Sequence, residues 1–102
     1  MENTEKKLKE AIEALNDGNY QISFDVFKPL AEQGNAKAQF HLGFLYRIGQ
    51  VVEQDYQQAY HWYLLSAEQG YAVAQYKIGL MHYKGQVVDK NYQKAFKWYS
   101  LA

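Results

Sequence analysis

The sequence repeats itself with a period of 36 residues. The tetrapeptide Ala-Glu-Gln-Gly at 31–34 recurs at 67–70, and the tetrapeptide Gly-Gln-Val-Val at 49–52 recurs at 85–88. The same shift aligns further identical residues across the unit, so that about half of its positions match. A period of this length suits two helices and a turn per unit, with each unit burying the apolar face that its neighbour cannot cover alone.

A weaker copy of the unit precedes these two. The pair Tyr-Gln at 20–21 matches the pair at 56–57, and Phe27 takes the place of Tyr63. We therefore predict a single repeat domain over 1–102, with units at about 1–35, 36–71 and 72–102. No Pro/Gly/Ser-rich linker divides the units.

Apolar spacing and helix breakers predict two helices in the first unit. The first helix has an apolar face with the spacing i, i+3, i+4 and i+7, formed by Leu8, Ala11, Ile12 and Leu15. The turn 17–19 ends this helix, and a second is expected from about Tyr20 to Gln33. Because proline lacks an amide donor and clashes with the preceding turn, Pro29 predicts a kink or a break near Lys28.

Similar signals place two helices in each of the other units. Gly34 and Asn35 predict a turn before a third helix that ends at Gly49 and carries Ala38, Leu42, Leu45 and Tyr46 inward. Asp55 and Asn91 each offer an N-cap oxygen to the helix that follows. The sequence thus predicts an all-α fold of six helices in three antiparallel hairpins.

The repeated strings resemble a known family. Residues 38–46, then Gly49, then 55–63, closing on 67–70, are similar to the Sel1-like repeat, a relative of the tetratricopeptide repeat. The resemblance covers 31–102, and the first unit, with its short turn at 17–20, looks closer to an ordinary tetratricopeptide repeat. It implies a right-handed superhelix (an α-solenoid) that acts as an adaptor or scaffold for protein complexes, commonly in bacterial signalling, envelope biology or host interaction.

Several repeated residues have expected packing roles. Gly43 and Gly79 lack a side chain, so the helices carrying Ala59 and Ala95 can approach them closely. The aromatic pairs at 62–63 and 98–99 are expected to fill the seams between hairpins rather than to form a ligand cage.

Two positions depart from the family pattern. Val51 and Val87 stand where the family usually has glycine, which argues against a positive φ there and predicts a different turn. His82 stands where Tyr46 stands one unit earlier, which predicts an imidazole in a seam that normally accepts a phenol.

Composition and motifs exclude several classes of function. The 11 basic and 11 acidic residues cancel, so nucleic-acid binding is not expected. The charged start and the lack of a long apolar run predict no membrane insertion and a soluble, cytoplasmic protein, although a chain without cysteine would suit an exported protein equally well. No nucleophile elbow, phosphate loop or zinc motif occurs, and the histidines at 41, 61 and 82 are too far apart to share a helical turn. We therefore expect no enzyme activity, metal or cofactor.

The best candidate site is a stripe along the first helix of the second and third units, which in such solenoids tends to line the concave face. The partner-binding stripe consists of Lys37, His41, Phe44, Ile48, Val73, Lys77, Leu80 and Lys84. Apolar residues rimmed by cations would suit a protein or peptide partner with hydrophobic anchors and a carboxylate. The alternative is that Phe44 and Leu80 are simply core residues.

Two other classes of function remain open at this stage. One is small-molecule binding or hydrolysis, because some cysteine-rich relatives are linked to β-lactam binding, but this chain has no cysteine. The other is self-assembly, either as part of a longer array or as a homodimer through the C-terminal edge. In the last helix, the helical spacing cannot direct Phe96, Trp98, Tyr99 and Leu101 all inward.

Overall fold

The computed structural model describes residues 2–85 and 91–102. Within them the chain is all-α, and its helices are α1 (Glu2–Asn16), α2 (Tyr20–Glu32), α3 (Ala36–Ile48), α4 (Tyr56–Glu68), α5 (Ala72–Lys84) and α6 (Tyr92–Leu101). Each helix packs against the next one along the chain, which gives three stacked hairpins. The predicted fold class and the six predicted helices are confirmed.

The predicted caps position these helices. The side chains of Asp55 and Asn91 accept hydrogen bonds from the backbone amides of Gln58 (3.0 Å) and Lys94 (2.9 Å). Gly49 ends α3 with a left-handed φ of 68°, a conformation that only glycine adopts without strain. Local sequence signals therefore determine where α3 ends and where α4 and α6 begin.

Of the predicted kink or break near Lys28, the break is wrong. Helix α2 continues through Pro29 to Glu32, and the amide of Gln33 still donates to the Pro29 carbonyl at 3.1 Å. Pro29 lies in the last turn of α2, and its missing amide leaves only the Asp25 carbonyl without its helical hydrogen bond. Water can replace that bond because Asp25 is exposed.

The core consists of two clusters of buried residues. The first joins α1, α2 and α3 and contains Leu8, Ala11, Phe27, Leu30, Ala31, Ala38, Leu42 and Leu45. The second joins α4 and α5 and contains Ala59, Tyr63, Ala67, Ala74, Ile78 and Met81. Tyr46 packs against both clusters and so connects them.

The repeated glycines lie at the closest helix contacts. A Cβ atom at Gly43 would lie 2.9 Å from the Tyr63 ring and 3.1 Å from the Ala59 carbonyl oxygen. The predicted close approach of α4 to Gly43 is confirmed, and the structure adds that the Tyr63 ring covers the glycine. Gly79 has the same relation to Tyr99 and Ala95, at 2.9 and 3.2 Å.

Buried glutamines connect each hairpin to the preceding one. The Gln39 side chain donates to the Ala31 carbonyl, and one unit later Gln75 donates to the Ala67 carbonyl, both at 3.2 Å. Gln69 also donates to Gln39 at 2.9 Å. The two helix-end carbonyls also accept backbone bonds from Gly34 and Gly70, so each glutamine adds a second hydrogen bond that ties neighbouring hairpins together.

The two departures from the family pattern have structural counterparts. No non-glycine residue within 2–85 and 91–102 has a positive φ, so Val51 does not adopt the glycine conformation; Val87 lies outside the described residues. His82 is buried in the seam between the second and third hairpins, where its Nε2 lies 3.2 Å from the Tyr60 hydroxyl.

The outer face of α6 is open. Phe96 is 73% exposed and Leu101 is 55% exposed, whereas Trp98 and Tyr99 are half-buried. The expectation that this helix leaves apolar surface in contact with water is therefore met.

Candidate partner-binding surface

The residues of the predicted partner-binding stripe all reach the surface at least in part. Lys37, Val73 and Lys84 are exposed. The others are half-buried, namely His41, Phe44, Ile48, Lys77 and Leu80. Phe44 and Leu80 belong to neither core cluster, but Ile48 packs against the first one.

The α3 end of the stripe is partly occupied by packing within the chain. His41 stacks on Phe27 with a distance of 4.9 Å between ring centroids, and burial lowers its pKa to about 4, with a smaller contribution from Lys37. Lys37 itself borders an open groove of about 630 Å³ that is otherwise formed by α1. His41 is therefore a neutral aromatic surface at pH 7, and Lys37 supplies an exposed positive charge at this end.

The α5 end of the stripe forms a cationic cavity. The cavity has a volume of about 90 Å³, and three residues of the stripe line it, namely Lys77, Leu80 and Lys84. Four residues outside the stripe complete the lining, namely Arg47, Tyr56, Tyr63 and Met81. None of these lining residues is acidic. Elements α3, α4 and α5 each contribute to the cavity, so it exists only when two hairpins are stacked.

The charges in the cationic cavity act on one another. Burial lowers the pKa of Lys77, and the nearby charges of Arg47 and Lys84 lower it further. The Arg47 guanidinium also lies 5.3 Å from the centre of the Phe44 ring, a cation–π contact that links Phe44 to the same site.

Two buried polar atoms at this cavity make no hydrogen bond of ordinary geometry to residues 2–85 or 91–102, although the Arg47 side chain approaches the Tyr63 hydroxyl closely enough to limit the burial-driven rise of its pKa. Tyr63 is fully buried, yet its hydroxyl has no hydrogen bond to any described residue. The Nε of Arg47 is also buried, and among the residues of 2–85 and 91–102 it has no partner. Burial raises the pKa of Tyr63, and Arg47 partly offsets that rise. The phenol is therefore a neutral potential donor.

Sequence reasoning missed Arg47 and Tyr63 as site residues. The predicted role of Tyr63 is packing, which is correct for its ring but leaves its hydroxyl unexplained. A signal for Arg47 does exist, because the third unit has Tyr83 at that position. A charge found in only one copy of a repeat is not explained by the packing that the copies share.

None of the helices in the described part of the chain is both long and apolar enough to cross a membrane.

Comparisons with known proteins agree with the fold. No curated protein matches the sequence. A Sel1 repeat protein from Oxalobacter formigenes has a crystal structure that superposes with a TM-score of 0.86 at 36% identity, over 94% of this chain and 38% of that one. A protective antigen of uropathogenic Escherichia coli strains, which displays an SLR fold, gives 0.84 at 34% identity, over 96% of this chain and 22% of that one. The chain thus spans less than two fifths of either protein.

The repeat itself also matches a family. The sequence matches the Sel1 repeat twice, at residues 36–71 and 72–102. Proteins with this repeat are generally non-catalytic and mediate interactions between proteins. Because these matches cover more than half of the sequence, and because the hairpins superpose on solved Sel1 structures, the chain belongs to the Sel1 repeat family.

Proposed function

We propose that this chain is a non-catalytic scaffold that binds a protein or peptide along the stripe on α3 and α5. The observation that carries the proposal is the cationic cavity, where Lys77, Leu80 and Lys84 meet Arg47 and no acidic residue of 2–85 or 91–102 shares the lining. Such cations beside partly exposed apolar side chains are suited to a segment that carries both an anionic group and a hydrophobic anchor.

The distribution of contacts along the stripe supports a binding role. Phe44 and Leu80 remain accessible although the two core clusters are complete without them. Cations lie at both ends of the stripe, with Lys37 at one end and Lys84 at the other. An extended partner segment would thus find apolar contacts along the stripe and positive charge at its ends.

The test is a pair of charge-reversal variants of equal size. Lys77→Glu with Lys84→Glu reverses two charges at the cavity, and Lys94→Glu with Lys97→Glu reverses two exposed charges on α6. Both should keep the helical circular dichroism of the parent, because surface changes away from packing features cost little stability. Cross-linked capture of partners from the native host should fail for the α5 pair alone. Equal capture by both variants would remove the stripe as the binding surface.

A further inference from the structure

The unpartnered hydroxyl of Tyr63 is not needed for packing. Phe27 occupies the same position in the first unit and is also fully buried, so a plain phenyl ring fills this place in the fold. A buried hydroxyl without a partner costs free energy, because it gives up its bonds to water and gains none. The second unit carries this cost at the point where the ring borders the cationic cavity.

The cations of the cavity also carry a cost that a bound anion would relieve. Arg47, Lys77 and Lys84 line one small space, and no acidic side chain of the described residues shares it. The repeat does not reproduce this cluster. The third unit has Tyr83 where the second has Arg47, and the second unit has His41 where the third has Lys77. Mutual repulsion among these cations is unfavourable until an anion enters, and so is the burial of the Arg47 Nε, which has no hydrogen bond to any residue that the structure describes.

The size and the walls of the cavity restrict the anion. Its volume of about 90 Å³ is well above the minimum that holds one water molecule, about 10–15 Å³ in the same measure. A carboxylate fits that space, and its two oxygens match the planar fork of a guanidinium. Leu80 and Met81 form an apolar wall beside the cations, which suits the aliphatic side chain of the residue that carries the carboxylate.

We propose that the cationic cavity binds a carboxylate of the partner peptide, with Arg47 and the Tyr63 hydroxyl as donors and an adjoining aliphatic side chain against Leu80 and Met81. The inference rests on the proposed function and names the chemistry that the partner must carry. Lys77 and Lys84 supply the remaining positive charge at the rim.

Met81 provides a direct readout, because Met1 is the only other methionine in the chain. Protein labelled with ¹³C at the methionine methyl groups therefore gives two signals, and Met81→Leu identifies the one from the cavity. N-acetyl-leucine, which has a carboxylate and an aliphatic side chain, should shift the Met81 signal in a saturable manner. N-acetyl-leucinamide, the uncharged analogue, should not shift it.

Three variants separate the cavity from general charge effects. Arg47→Gln should weaken N-acetyl-leucine binding by about tenfold or more, because a charge-assisted bond is lost. Tyr63→Phe should weaken binding severalfold while the melting temperature stays close to that of the parent, since the hydroxyl makes no hydrogen bond of ordinary geometry to the described residues and only a weak contact with Arg47 is lost. Lys97→Glu reverses an exposed charge on α6 and should bind like the parent.

Several outcomes would overturn the assignment. No Met81 shift at tens of millimolar N-acetyl-leucine, or the same shift with the amide, would exclude carboxylate binding. A Met81 shift with inorganic phosphate at lower concentration than with N-acetyl-leucine would assign the cavity to phosphate instead. If the Lys77 and Lys84 reversals abolish partner capture but the Met81 signal does not move, the proposed function stands and the carboxylate assignment fails.

Discussion

The His41 imidazole contacts two aromatic rings. It stacks on Phe27 at 4.9 Å and meets Phe40 edge to face at 5.1 Å, so both rings contribute to its partial burial. Burial is the main reason why its pKa falls from 6.5 to about 4, and the charge of Lys37 adds to the effect. The folded chain thus binds a proton at His41 far more weakly than the unfolded chain does.

This difference predicts a loss of stability in mild acid. His41 does not lower the free energy of unfolding above pH 6.5. This free energy declines as the pH falls towards 4, because the unfolded state is protonated first. With about 1.4 kcal/mol per pKa unit, the loss reaches about 3 kcal/mol at pH 4. Urea unfolding of the parent and of His41→Phe between pH 7 and 4 measures it. The variant should lose about 3 kcal/mol less than the parent, and parallel curves would show that His41 does not titrate in this way.

At the scale of helices, the approach of α4 to α3 depends on Gly43. A Cβ there would come within 2.9 Å of the buried Tyr63 ring and within 3.1 Å of a backbone carbonyl, so neither neighbour can easily move. The equivalent ring at Gly79 is Tyr99, which is half-buried at the end of the stack. The two glycines share their local geometry but differ in how freely the covering ring can shift.

Alanine at these two glycines should therefore have unequal effects. Alanine favours a helix over glycine by about 1 kcal/mol, whereas overpacking costs about 1–3 kcal/mol. We expect Gly43→Ala to be destabilising overall and Gly79→Ala to be near neutral, because Tyr99 can yield. Thermal melting of both variants tests this, with a fall of several degrees expected only for Gly43→Ala. A larger fall for Gly79→Ala would contradict the proposed difference between the two rings.

The elements also show which features a single sequence can predict. Helix ends at Gly49, Asp55 and Asn91 followed from local capping rules, and the 36-residue repeat tested each assignment twice. The break at Pro29 was wrongly predicted because its cost depends on whether the Asp25 carbonyl can reach water, which is a tertiary property. Arg47 was missed for a different reason. It lies on α3 beside Ile48 but off the helical spacing that defines the stripe, and the cavity also takes in residues of α4, a second helix.

At the scale of the whole molecule, the second helices of the second and third hairpins, α4 and α6, differ in how far they are covered. Tyr60 and Leu64 on α4 pack against the second core cluster, which includes residues of α5. Phe96 takes the place of Tyr60 on α6, and it is 73% exposed. The third hairpin therefore exposes to water a position that the second hairpin partly covers, and stacked repeats normally cover such a face.

We expect the open face of α6 to be covered by a second copy of the chain. An isologous pair places the same face of each copy on the other and is the simplest closed arrangement. Light scattering across a concentration series should show a dimer for the parent and a monomer for Phe96→Glu, because the new charge would be buried in the contact. Ile22→Glu is the matched control, since Ile22 is 55% exposed on α2, and this variant should dimerise like the parent. A parent that remains monomeric at the highest concentration would show that α6 tolerates its exposed aromatic residue without a second copy.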